Sequence, residues 1–350
     1  MSNIVKTVIA VPLTLLVSIC GFLVLRANML SQISTTLFAI LWGVSSVILI
    51  FYTMNLLAQL ASVKVYNKII PYVFIIPAVL ILAWYLFIPT VRSIVLSFMD
   101  KTSTHFVGFA NYKYIFSDKS MVTSLINTLI WLVCGTGLSV LLGLVFAILI
   151  ERSYIEKLAK TLIFMPMAIS LVGASVIFKF MYAYRPIGSE QIGLLNAIVV
   201  FLGGKPQNWL GSAPLNNLFL IAIFVWLQTG FALVVLSASL KAVPEEMIEA
   251  ARIDGANEFK ILTKIIIPSI KASIVSVSTT ILLAALKCFD IVFSMTNGLY
   301  GTEVLASQQY KQMFKFLHYG RGSAIAVLIL VAVSPVIYYN LKGFKEREVF

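Results

Sequence analysis

The stretch "EAARIDGA", Glu249 to Ala256, places Glu249, Arg252, Asp254 and Gly255 in a chain otherwise dominated by long runs of Leu, Ile and Val. Its surroundings read as a helix, a turn and a second helix. Pro244 suits the first helical position, where its missing N–H would lack a partner in any case. Glu245 and Glu246 follow in the first turn, where carboxylates favour the helix dipole. Ala250 and Ala251 are strong helix formers, and Gly255 stops the helix as a C-terminal glycine. A second helix starts near Asn257 and presents Phe259, Ile261, Leu262 and Ile265, with Lys260 and Lys264 on its wetter side. Pro268 marks the turn toward the next apolar run. The pattern predicts a helix–turn–helix elbow, each short helix about 15 Å long. Small residues at Ala250, Ala251 and Gly255 permit close approach by another chain, and Glu249 and Asp254 add charged anchors. The elbow therefore reads as a docking surface rather than a tether.

What flanks the elbow sets the class. Sixty per cent of the residues are hydrophobic and 11% are charged, against roughly 25% charged in soluble domains. Eight segments reach the length of about 20 apolar residues needed to cross a bilayer: Ile4 to Leu25, Thr36 to Leu60, Ile70 to Phe98, Leu125 to Ile150, Leu158 to Met181, Leu218 to Leu240, Ser273 to Met295 and Ala324 to Leu341. The runs are continuous rather than alternating, so they are helices and not barrel strands. The net charge of +12 comes from bases gathered at segment ends, which suits lipid headgroups and gives no reason to invoke nucleic acid. Cys20, Cys134 and Cys288 lie in apolar segments without metal or redox spacing, and His105 and His318 are isolated, so no metal is expected. The first apolar run is too long for a signal-peptide core and reads as a retained span.

An even number of spans puts both termini on one side. The tail residues Lys342, Lys345 and Arg347 favour the cytoplasm, which also places Lys64 to Lys68, Arg152 to Lys160 and the elbow, 241–271, inside. The outer links 97–124 and 182–215 are rich in Gly, Pro, Asn and aromatics. In the link 298–322, Tyr310, Met313, Phe314 and Leu317 share one helical face, which predicts an interfacial helix. Pro77, Pro89, Pro166 and Pro335 lie inside spans and predict bends.

The full stretch "EAARIDGANEFKILTKIIIP" resembles the EAA motif of importer permeases of the ATP-binding-cassette (ABC) superfamily. Glu249, Ala250, Ala251, Gly255, Ile265 and Pro268 stand in register, with Ile267 where Leu is usual. "VGFANYKYIF", "LIFMPMAIS" and "TEVLASQQYKQMF" look like maltose-type carbohydrate permeases, in particular the subunit with two extra N-terminal spans. "WLQTGFALVVLSASL" and "LKCFDIVFSMTNG" resemble the α-glucoside subgroup, as does "TNGLYG" in place of the commoner G-G-P. The resemblance implies an all-α polytopic membrane protein of the type I ABC importer class, with eight transmembrane helices and a cytoplasmic coupling helix. It divides the chain into two extra spans, 1–62, and a six-helix core, 63–350, carrying the coupling loop 241–271. Implied partners are a second homologous permease subunit, an ATPase dimer that binds ATP and Mg, an extracytoplasmic sugar-binding protein, a sugar and membrane lipid. The setting would be a bacterial or archaeal cytoplasmic membrane. Glu249, Ala250, Ala251, Asp254, Gly255 and Pro268 are then the residues coupled to the ATPase.

No Gly-rich phosphate loop occurs in the chain, so energy is expected from a separate subunit. For the substrate path, Phe224, Leu227, Gln228 and Phe231 share one helical face, and Gln228 offers both donors and an acceptor for hydroxyls. Positions matching the maltose-type site add Ile281, Ala284, Ala285 and Cys288, although the last three lack the polar groups usual there. Lys287 and Asp290, three residues apart, could pair or line the path. They also support an alternative, a stand-alone ion-coupled transporter. A membrane enzyme finds no clustered acid, base or nucleophile.

Overall fold

A computed structural model describes residues 3–28, 31–151 and 153–345, with side chains as far as Tyr338. Arg152 and the tail residue Arg347 lie outside the described residues, and so do the side chains of Lys342 and Lys345. Helices follow the apolar runs: α1 (Asn3–Ala27), α2 (Gln32–Gln59), α3 (Val63–Leu96), α4 (Ala110–Ser117), α5 (Lys119–Ile150), α6 (Glu156–Ala168), α7 (Leu171–Met181), α8 (Leu194–Phe201) and α9 (Asn216–Lys241). Then come α10 (Glu245–Ile253), α11 (Glu258–Ser269), α12 (Lys271–Leu286), α13 (Asp290–Met295), α14 (Leu305–Tyr310) and α15 (Tyr319–Lys345). Six are long and apolar enough to cross a membrane, and up to eight spans result if two bent pairs each count as one.

The bends follow from proline chemistry. The pair α6 and α7 turns by 102° just after Pro166, and α11 and α12 meet at 68° just after Pro268. Pro89 and Pro268 each sit two residues beyond a π-helical turn, Ala83–Phe87 and Leu262–Ile266, because a proline ring displaces the carbonyl four residues earlier. The seventh predicted span is a correction. It is not continuous from Ser273 to Met295: the helix ends at Leu286, and a second begins at Asp290. The predicted interfacial helix is shorter than its apolar spacing suggested. It ends in a π turn, Lys311–Lys315, and Leu317 takes a left-handed φ of 51°.

By contact the chain forms two compact units, one up to Arg92 and one from Ser93 onward. That division differs from the 62/63 boundary drawn from the sequence. In the first unit, α1 and α2 pack as a pair. Polar groups stitch their seam: Thr14 and Thr53 hydroxyls lie 2.7 Å apart, and Trp42 Nε1 donates to the Val17 carbonyl at 2.9 Å.

In the second unit α9 is the central helix, with over half of its apolar window buried. Small residues let neighbours reach its backbone. A Cβ on Gly143 of α5 would meet the Leu233 backbone nitrogen at 2.9 Å, and one on Gly230 would meet Phe164 Cα at 2.7 Å. The core between them holds Trp131, Phe224, Leu233 and Ile281. Trp131 packs edge-on against Phe224 and donates Nε1 to Asn217 at 3.2 Å.

One end of α9 carries a clamped turn between α13 and α14. Asn297, Gly298, Tyr300 and Gly301 all have left-handed φ. Asn216, at the start of α9, donates to the Tyr300 carbonyl at 2.9 Å, while Asn127 donates to the Gly301 and Glu303 carbonyls, each at 2.7 Å. Buried Glu303 pairs with Lys311, whose Nζ also reaches the Asn297 carbonyl at 2.7 Å. Lys241 lies at the opposite end of α9, beside the elbow.

Candidate functional site: an uncovered elbow and a broken span

The elbow forms where the sequence places it, with one shift of register. Pro244 is the N-cap, with extended ψ of 129°, and the helix starts at Glu245 rather than at the proline. Gly255, at φ +79°, closes it as predicted. The Ala256 N–H reaches the Ala251 carbonyl at 2.9 Å, and the Gly255 N–H reaches Arg252 at 3.0 Å. This pair of bonds is a Schellman ending, which satisfies carbonyls the helix would otherwise strand. Asn257 caps the next helix through the Lys260 N–H at 2.9 Å. Arg252 bridges the turn with a fork to both oxygens of Glu258, at 2.9 and 3.3 Å. Those hydrogen bonds, then the charge of Glu258, raise the Arg252 pKa further above its ordinary value.

What marks α10 is that none of its residues is buried. Glu249, Ala250, Asp254 and Gly255 are exposed and Ala251 is half-buried; Pro268 is exposed at the bend. Ile253 is 86% exposed and Phe259 73%. A nine-residue helix is marginal in water by itself, so its Schellman ending and the fork across Gly255 hold it.

The root of the elbow contains a charged cluster that sequence reasoning missed, because its members are far apart in the chain. Lys241 lies 2.5 Å from Glu156 and 3.8 Å from Glu151. Lys160 also pairs with Glu156 at 2.5 Å, and the Ser237 hydroxyl donates to Glu151 at 3.1 Å. The ends of α5, α6 and α9 thereby meet in one cluster. A cleft of about 720 Å³ separates it from α10, lined by Glu151, Lys241, Pro244, Arg252 and Glu258 among others.

The predicted path residues divide. Phe224, Leu227, Ile281, Ala285 and Cys288 are buried in the core of this chain. Gln228, Phe231 and Ala284 are half-buried on the packed helices α9 and α12. The Gln228 side chain makes no hydrogen bond to any described residue. Lys287 and Asp290 form no ion pair among the described residues. Lys287 is exposed and Asp290 half-buried, on either side of the break in the span. The pair on which the ion-coupled alternative rested is therefore not formed.

The elbow, the bent helices and the clamped turn can be set against known proteins. The profile of the family described as "Binding-protein-dependent transport system inner membrane component" matches residues 139–349. The chain belongs to this family. The permease is 52% identical to the osmoprotective compounds uptake permease protein GgtC of Synechocystis sp., over 79% of this chain and 99% of that one. It is 48% identical to the alpha-glucoside transport system permease protein AglF of Rhizobium meliloti, covering 81% and 84% respectively. Among solved structures, a chain of a bacterial alginate ABC transporter, crystallised with an alginate pentasaccharide-bound periplasmic protein, superposes with a TM-score of 0.67. The match covers 79% of the permease and 94% of that chain at 18% identity, and so speaks for the fold alone. The permease is a multi-pass membrane subunit of an ABC importer, and that membership replaces the ion-coupled reading.

Proposed function

We propose that this permease moves a neutral sugar, an α-glucoside or a related glucosyl compound, driven by ATP hydrolysis on a separate ATPase dimer seated against α10. The uncovered elbow carries the reading. Its C-terminal end is closed by the bonds around Gly255, yet no residue of α10 is buried and Ile253 and Met247 are exposed, which fits a surface completed by a partner. ATP binding can drive a conformational change only through contacts that differ between two states. The charged cluster around Lys241 provides a route from the elbow into α5, α6 and α9. A second permease subunit would complete the path, an extracytoplasmic binding protein would deliver the sugar, and ATP and Mg²⁺ would be held by the ATPase. Both termini and the elbow then face the cytoplasm. Gln228, half-buried with a free amide, would meet sugar hydroxyls. The names of the two relatives above support the sugar class.

The test is uptake by the reconstituted complex, with and without ATP, against a panel of neutral and acidic sugars. ATP-dependent uptake of α-glucosides is expected. Uptake driven by an ion gradient without ATP, or none of any sugar, overturns the proposal. Gln228→Ala should slow passage without loosening assembly; unchanged transport of every sugar would assign Gln228 to packing.

A further inference from the structure

Another polar cavity lies where α15 begins, away from the elbow. It measures about 190 Å³, and Asp100, Lys101, Val107, Asn111, His318 and Arg321 line it. Its walls are fixed by the fold. Buried Asn111 donates to the Ser97 and Met99 carbonyls at 2.9 and 2.7 Å, and the Tyr319 N–H donates to the Lys101 carbonyl at 3.1 Å. A Cβ on Gly320 would meet the Asp100 carbonyl oxygen at 2.8 Å, so a glycine lets the loop 98–107 seat on the first turn of α15.

The charges that line the cavity do not cancel. Asp100 is already engaged: its carboxylate accepts the Thr104 N–H at 2.9 Å and lies 3.2 Å from His105 Nδ1. Lys101 is exposed and Arg321 half-buried, and neither forms an ion pair among the described residues. Arg321 stands over the Tyr114 ring at 3.7 Å, which holds its guanidinium in place. Burial, then the charge of Arg321, hold the His318 pKa below its ordinary value, so this imidazole is neutral at pH 7. Its Nδ1 accepts the Arg321 N–H at 3.2 Å, which leaves Nε2 as a donor. Two cations against one carboxylate leave one positive charge in excess among the lining groups.

The surroundings say which anion is within reach. The membrane-length apolar stretch of α15 starts at Tyr319, so the cavity stands at the level of lipid headgroups. Val107, which lines it, is flanked in the chain by Phe106 and Phe109, whose side chains are 75% and 74% exposed. Phe98 packs against both rings, at 6.3 and 5.3 Å. Exposed rings beside a cationic cavity suit the boundary between headgroups and acyl chains better than bulk water.

We propose that this cavity holds the phosphodiester of an anionic membrane phospholipid, with Lys101 and Arg321 on its non-bridging oxygens, His318 as a further donor, and Phe106 and Phe109 among the acyl chains. Arg321 can give two parallel bonds to a phosphate. One phosphodiester charge balances the cavity. A headgroup without its own cation keeps that balance, so phosphatidylglycerol should bind ahead of phosphatidylcholine.

The experiment is native mass spectrometry of the full-length permease, purified in detergent and titrated with short-chain phosphatidylglycerol, phosphatidylcholine or inorganic phosphate. Wild type should retain one phosphatidylglycerol more tightly than phosphatidylcholine. Lys101→Ala should weaken that adduct about fivefold, the scale of one basic residue at an anionic lipid surface, and Lys101→Arg should restore it. Arg321→Lys, which keeps the charge and loses the fork, should weaken it as well; if that variant does not fold, the exposed Lys101 carries the test. Equal retention by wild type and Lys101→Glu overturns the proposal. So does displacement of the lipid by millimolar inorganic phosphate, which would make the cavity a free-anion site.

Discussion

The elbow at Gly255 and the turn at Gly298 both reverse the chain through left-handed glycines, at opposite ends of α9, and they are held in opposite ways. A Cβ on Gly255 would meet nothing within 4 Å, so only its φ of +79° disfavours other residues. A Cβ on Gly298 would run into the Glu303 carboxylate. The elbow is secured by residues close in sequence: Pro244, Arg252, Asn257 and Glu258. The turn is secured by Asn127 and Asn216, which the fold brings from other helices, and by the pair of buried Glu303 with half-buried Lys311. A locally sealed element can stay uncovered and await a partner. A tertiary clamp instead fixes a strained backbone in place and presents Leu299 and Tyr300, 61% and 58% exposed, as a rigid tip.

The contrast makes four predictions, from the largest effect to the smallest. Gly255→Asp should reduce ATP-driven uptake to background while the spans still insert, because a side chain at a φ of +79° is strained and a new carboxylate enters the proposed docking surface. Normal uptake by that variant would dissolve the coupling role. At the other end, Glu303→Ala should destabilise the permease by about 3 kcal/mol, because it leaves the half-buried Lys311 without its counter-charge. Thermal unfolding of the purified subunit would show it, and an unchanged midpoint would mean the clamp is not closed. Asn216→Ala should cost about 1–2 kcal/mol by stranding the Tyr300 carbonyl, measured in the same way.

The smallest effect belongs to a third turn, at Asp100. The Thr104 N–H, at 2.9 Å, and then His105 hold this carboxyl well below the usual carboxylate range, against some desolvation. A depressed pKa in the folded state stabilises above the unfolded value, near 3.8, and that contribution is lost as pH falls through the folded value. Wild type should therefore exceed Asp100→Asn slightly at pH 7, and the two should converge only in strong acid. A gap that persists at the lowest pH would exclude the carboxylate as its source.

Legibility followed the same divide. The elbow could be read from Glu245 to Asn257 almost residue by residue, since caps and helix propensities act over a few positions. Pro244 was misplaced by one residue, because N-cap and first-turn prolines differ only in ψ. The break at Lys287 was hidden: apolar residues on both sides gave one continuous run, and hydropathy does not register a backbone change three residues long. The path residues were only partly legible. Periodicity put Phe224 and Leu227 on the face of Gln228, but it could not tell that Trp131 and the core would cover them and leave Gln228 half-open.

By itself the sequence determined that the chain forms membrane-length helices and that a polar elbow joins two of its spans; of the prolines expected to bend spans, Pro166 does so, while Pro77 and Pro335 lie inside continuous helices. Those outcomes depend on transfer energy and on bonding within a few residues. Only the tertiary structure decided that Glu156 meets Lys241, that Asn127 and Asn216 clamp a turn far along the chain, and that Lys287 and Asp290 form no ion pair among the described residues. Side-chain partners across helices depend on how close two backbones approach, which Gly143 and Gly230 permit and no local pattern encodes.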